Sequence, residues 1–131
     1  MIKVFCLKCD KKYDRKFVTR LKDAVNKHLT KKHEFFCITD EPQEKWDIPL
    51  VRKFPDVWNK MHFLNYVGDS LYFDLDIEIH DNIDFLADDF EDFTLIDSRK
   101  WKDNKEDLKF KITSNTFVNT SIMRWSFAQH I

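Results

Sequence analysis

The chain holds a single glycine, Gly68, among 131 residues. That excludes the phosphate-binding loops that need several. A P-loop and a Gly-x-Gly-x-x-Gly dinucleotide turn both use glycines to bring backbone N–H groups against phosphate. A nucleotide held here must be held by side chains and a metal ion. Cysteine is scarce and odd in number: Cys6, Cys9 and Cys37 cannot all pair, which fits reduced thiols and a cytoplasmic setting. No run approaches the ~18 apolar residues of a membrane span. The N-terminus, Met-Ile-Lys-Val-Phe-Cys, lacks the long apolar region and cleavage site of a signal peptide. Only three prolines occur, with no low-complexity linker and no internal repeat, so one domain spanning residues 1–131 is expected.

Apolar and aromatic residues are plentiful. Hydrophobic residues make up 43% of the chain, with thirteen Phe and four Trp, enough to bury a core rich in rings. Net charge is −1 but unevenly spread: residues 1–33 hold eleven Lys or Arg against three Asp, and the remainder holds eleven against twenty Asp or Glu. Such a basic segment suits phosphates or nucleic acid, and equally suits pairing with the acidic part of the same chain.

Element signals come in an alternating order. Lys3–Leu7 reads as a strand. Asp14 can cap a helix in which Phe17, Leu21, Val25 and Leu29 recur every four residues, with Ala24 and His28 on its flank. Glu34–Thr39 is a second short apolar strand, and Thr39–Pro42 a turn. Asp56 can cap a second helix with Trp58, Met61 and Leu64 inward, ended by Gly68. Ile83–Leu86 suggests a helical turn, and Phe93–Ile96, Phe110–Thr113 and Phe117–Trp125 have strand character. Strand–helix–strand alternation predicts an α/β domain with a mostly parallel central sheet flanked by helices. In open sheets of that kind ligands bind beyond the carboxyl ends of the strands. Leu7–Tyr13, Asp40, Asp74 and Asp76 are expected to meet there.

Leu71-Tyr-Phe-Asp-Leu-Asp-Ile-Glu-Ile79 is the most informative stretch. Its odd positions are apolar, and Asp74, Asp76 and Glu78 fall on even ones, which reads as a strand with one buried face. Three carboxylates in a row on the other face repel, and Asp is a poor strand former. A cation resolves the conflict: Asp-x-Asp at the end of an apolar strand points to hard oxygen ligands for magnesium or manganese.

With LYFDLDIEIHDNIDFL at its centre, the chain resembles GT-A-fold glycosyltransferases, in which an apolar strand runs into Asp-x-Asp and then a short helix. Three further stretches fall in the family's order. IKVFCLKCDKKYD resembles the strand and loop that receive the nucleotide base, FPDVWNKMHFL the helix before the metal motif, and FKITSNTFVNTSIMRW the later strand that contacts the donor sugar. The resemblance implies a Rossmann-like GT-A domain, shorter than most members, that acts as a hexosyltransferase-like enzyme. It implies a nucleotide diphosphate sugar donor, UDP-linked by preference, and a Mn2+ or Mg2+ ion bridging the diphosphate. By motif, Asp76 is the direct metal ligand and Asp74 faces the ribose or the metal, with His130 alone placed to supply a late third ligand. Tyr13 stacks on the base, Leu7, Lys8 and Cys9 line it, and Asp40 binds base or ribose. Lys60 touches a phosphate, and with Asn119 and Ser121 the sugar. No residue is marked as the catalytic base, and no segment as the acceptor site. Transfer to an unknown acceptor, hydrolysis of the donor, and donor binding without transfer all follow from the same motifs. A homo-oligomer is compatible with them, whereas nucleic acid is not expected as a partner.

A rival pattern lies in residues 5–33. Cys6, Cys9, His28 and His33, with Tyr13 and Val25, imitate a two-cysteine, two-histidine zinc finger, a module for nucleic acid or protein. A finger has ~12 residues between its second cysteine and first histidine, and this chain has eighteen. The six extra residues move the histidines ~9 Å along an ideal helix. The default for these residues is cysteines packed as small apolar groups and histidines on a helix.

Overall fold

The computed structural model describes residues 1–9, 11–50, 66–88, 93–97 and 118–127. It comprises β1 (Ile2–Lys8), α1 (Arg15–His28), β2 (His33–Thr39), β3 (Asp47–Pro49), β4 (Gly68–Phe73), a 3-10 turn (Asp84–Ala87), β5 (Phe93–Asp97) and β6 (Val118–Phe127). The strands form one six-stranded sheet in the order β3-β2-β1-β4-β6-β5. β1 pairs in parallel with β2 and β4, and β2 with β3. β6 pairs antiparallel with both β4 and β5. The domain is therefore α/β with a mixed sheet, parallel across β3-β2-β1-β4 and antiparallel where β6 meets β4 and β5. The parallel half follows from the β1-α1-β2 crossover, and β6 brings the antiparallel half by running back between β4 and β5. The expected second helix and the strand at Phe110–Thr113 lie outside the described residues.

Both faces of the central strands are buried over residues 4–6 of β1 and 70–73 of β4. On one face Val4, Cys6, Leu71 and Phe73 pack beneath α1. On the other, Phe5, Tyr72, Met123 and Trp125 form a second cluster, with the Phe5 and Trp125 rings stacked 6.0 Å apart. The expected outward face of β4 is thus a second core, and Tyr72 is buried in it.

The start of α1 is set by Asp14, whose Oδ1 accepts the Lys16 N–H at 2.8 Å. Val18, Leu21, Val25 and the terminal Leu29 are buried, while Phe17 sits half-buried at the rim. Asp14→Ala is expected to cost about 1 kcal/mol by removing the cap, to be read as a lower denaturant midpoint with an unchanged slope. Gly68 opens β4 with φ +84°, and an added Cβ there meets nothing within 4 Å. What reserves that position for glycine is backbone conformation, not space.

Beyond Phe73 the chain leaves the sheet, so the expected strand Leu71–Ile79 ends six residues early. Leu75 and Asp76 form a turn, with the Ile77 N–H donating to the Asp74 carbonyl at 3.2 Å. From there to Asp88 the chain runs as a strap along α1. Leu75, Ile77, Ile79 and Ile83 pack into the core beneath the helix, while Asp76, Glu78 and His80 face outward. The strap meets the helix by polar contacts down its length. Arg20 pairs with Glu78 and Lys31 with Asp88, both at 3.9 Å. The Ile83 N–H donates to the His28 carbonyl at 3.0 Å, and the Thr30 N–H to Asp84 Oδ1 at 2.7 Å. The Thr30 hydroxyl also donates to Asp84 Oδ2, and these bonds hold the Asp84 carboxyl below its ordinary pKa. Part of the charge asymmetry is thus paired within the fold.

Two charged side chains anchor the periphery. Arg15 Nη2 donates to both oxygens of Asp47 at 2.7 Å, and Asp47 Oδ2 also accepts the N–H groups of Gln43 and Glu44. The Arg15 guanidinium lies 4.7 Å from the Trp46 ring centre. This assembly ties β3 and the loop before it to α1. At the other end of the strap, Arg124 is 2% exposed. Its guanidinium donates to the carbonyls of Leu86, Ala87 and Asp88 on one side and Ser70 and Trp125 on the other.

Candidate functional site

The sheet order reverses at β1. The chain lays β2 and β3 on one side of it and β4 on the other. Beyond the carboxyl ends of parallel strands, such a reversal opens a crevice in which α/β domains bind ligands. At this point β1 delivers the half-buried Leu7, Lys8 and Cys9, and the loop into α1 delivers Tyr13. β4 delivers Asp74, the first residue after its last paired one, and then Asp76.

The two carboxylates are held differently. The Asp74 N–H donates to the Ser121 carbonyl of β6 at 2.8 Å, and Tyr72 Oη donates to Asp74 Oδ1 at 2.6 Å. Burial pushes the Tyr72 phenol well above its ordinary pKa, and the neighbouring Asp74 carboxylate adds to the shift. The phenol therefore stays protonated and acts as a donor. Asp76 is exposed, and its Oδ2 accepts a longer hydrogen bond of 3.3 Å from Tyr13 Oη. The Tyr13 ring stands edge-on to Phe17 at 4.9 Å, with Lys12 Nζ 5.3 Å from its centre.

Most of the sequence-derived set converges. Leu7, Lys8, Cys9, Tyr13, Asp74 and Asp76 share the carboxyl edge around β1 and β4. Lys8 pairs with Thr39, so Asp40 leaves β2 at the same edge. It does so one strand further out, ~10 Å from β4 at the usual strand spacing. Ser121 reaches the site through its backbone carbonyl, which accepts the Asp74 N–H. Asn119 lies on β6 in register with Ile96 of β5. Lys60 and His130 fall outside the described residues. Sequence reasoning missed Tyr72. Its signal was present, a tyrosine two residues before the first Asp of the motif, but in a row read as solvated.

The zinc-finger residues are not brought together. Cys6 pairs in register with Cys37, while His33 pairs with Ile2, four residues or ~13 Å away along the strand. The His33 ring is engaged with the Lys31 carbonyl and Asn26 Oδ1. Burial raises the Cys6 thiol well above its ordinary pKa, and the Cys37 thiol beside it adds to the shift. A protonated core thiol is a poor zinc ligand.

Among the described residues no group of three or more His, Cys, Asp or Glu side chains is placed to hold a metal ion. Asp74 and Asp76 supply two carboxylates two residues apart, at the turn that follows β4. That donor set fits magnesium or manganese held jointly with substrate phosphates and water, the usual arrangement for an ion that keeps part of its hydration shell. It does not fit a site closed by protein ligands alone. No helix among the described residues is long and apolar enough to cross a membrane. No family model matches the sequence, and neither a curated protein nor a solved structure matches the chain.

Proposed function

We propose that the domain binds a nucleotide diphosphate sugar, UDP-linked by preference, as a GT-A-like glycosyltransferase dependent on Mn2+ or Mg2+. The observation that carries the reading is the position of Asp74-Leu75-Asp76. The motif begins one residue beyond β4, beside the end of β1, where the sheet order reverses. With one glycine in the chain, phosphate cannot be cradled by a glycine-rich loop, and side-chain carboxylates with a divalent ion take that role. Asp74 and Asp76 would hold the ion. Bound there, it supplies charge neutralisation for a leaving diphosphate. Tyr13 and the end of β1 would flank the base, with Asp40 at the ribose end. Lys60, Asn119, Ser121 and His130 stay in the proposal as donor-sugar, phosphate and late metal contacts.

Calorimetry tests it. UDP is expected to bind in the presence of Mn2+, to lose at least tenfold in affinity without it, and to bind undetectably to Asp76→Ala. Binding of UDP that ignores the metal, or survives Asp76→Ala, overturns the reading. Release of free sugar from a panel of nucleotide sugars then separates an active transferase from a domain that only holds its donor.

A further inference from the structure

We draw no further inference here: the strongest candidate, the exposed basic stripe of Lys16, Arg20 and Lys27 along the outer face of α1, is interrupted by Asp23 and faces the strap's Glu78 at Arg20, and nothing among the described residues shows what would bind it.

Discussion

Asp47→Ala is expected to lower the free energy of unfolding by about 3 kcal/mol, the scale for removing one partner of a buried pair. The Asp47 side chain is fully covered and takes both of its oxygens to Arg15 Nη2. Truncation strands a guanidinium whose Nη1 is already buried without an acceptor. It also releases the Gln43 and Glu44 N–H groups, so the loop before β3 loses its anchor. Urea titration of the wild type and variant checks the magnitude, and a loss under 1 kcal/mol would show that the pair is not seated as described.

The same pair gives a signed dependence on pH. Burial alone would raise the Asp47 pKa, but the hydrogen bonds from Arg15, Gln43 and Glu44 outweigh it and hold the carboxyl below its ordinary value. Burial likewise opposes the Arg15 charge, and Asp47 more than restores it, raising its pKa further. A depressed folded-state pKa means that the stabilisation is complete above the unfolded value, about 3.9 for Asp. It is lost as pH falls through the folded one. The gap between wild type and Asp47→Ala should therefore be flat at neutral pH and close below about pH 4. A gap that widened toward acid would contradict the assignment.

Arg124→Met should be at least as damaging, about 3–5 kcal/mol by the same reasoning for a buried charge network. Methionine roughly keeps the length and apolar volume of the stem, so the loss isolates the guanidinium. Five backbone carbonyls lose their donor at once, and three of them belong to Leu86, Ala87 and Asp88 at the end of the strap. Each unsatisfied buried acceptor costs about 1–3 kcal/mol, though a shared site is not additive. Asp69 is the control. It is 42% exposed and 3.4 Å from Arg124 Nη2, so Asp69→Asn should cost less than about 1 kcal/mol. Limited proteolysis gives the second readout: Arg124→Met should expose cleavage sites in residues 74–88 before the rest of the described fold is cut. Equal effects of Arg124→Met and Asp69→Asn would mean that the ion pair, not the carbonyl cage, holds the arginine in place.

What the sequence revealed depended on how local the cause was. Asp14, the helical spacing of Leu21, Val25 and Leu29, and the two apolar runs around them carry their own signals, and β1, α1 and β2 appear within a residue or two of their expected limits. β3 was illegible because three residues ending in Pro49 make no pattern; Arg15 helps to hold it beside β2 through Asp47. The alternation in Leu71–Ile79 reported that Leu71, Phe73, Leu75, Ile77 and Ile79 turn inward, but alternation does not say against what, and it left Tyr72 on the outer face. Leu75, Ile77 and Ile79 pack under a helix flank, with no strand among the described residues to pair them. Repulsion along that row is relieved partly by geometry and by Arg20, so the carboxylates of Glu78 and Asp76 need no common ion. Tyr72 and Arg124 were invisible for another reason. Each is polar by type, and only the second core and the carbonyl cage reveal them as buried.

Asp74 stands on a seam. On one side its strand belongs to the parallel half of the sheet, and on the other its own amide is tied to β6, which runs the opposite way. A shear between the two halves therefore cannot occur without dragging this carboxylate with it, which makes the acid a gauge of how the N-terminal and C-terminal parts of the chain are docked.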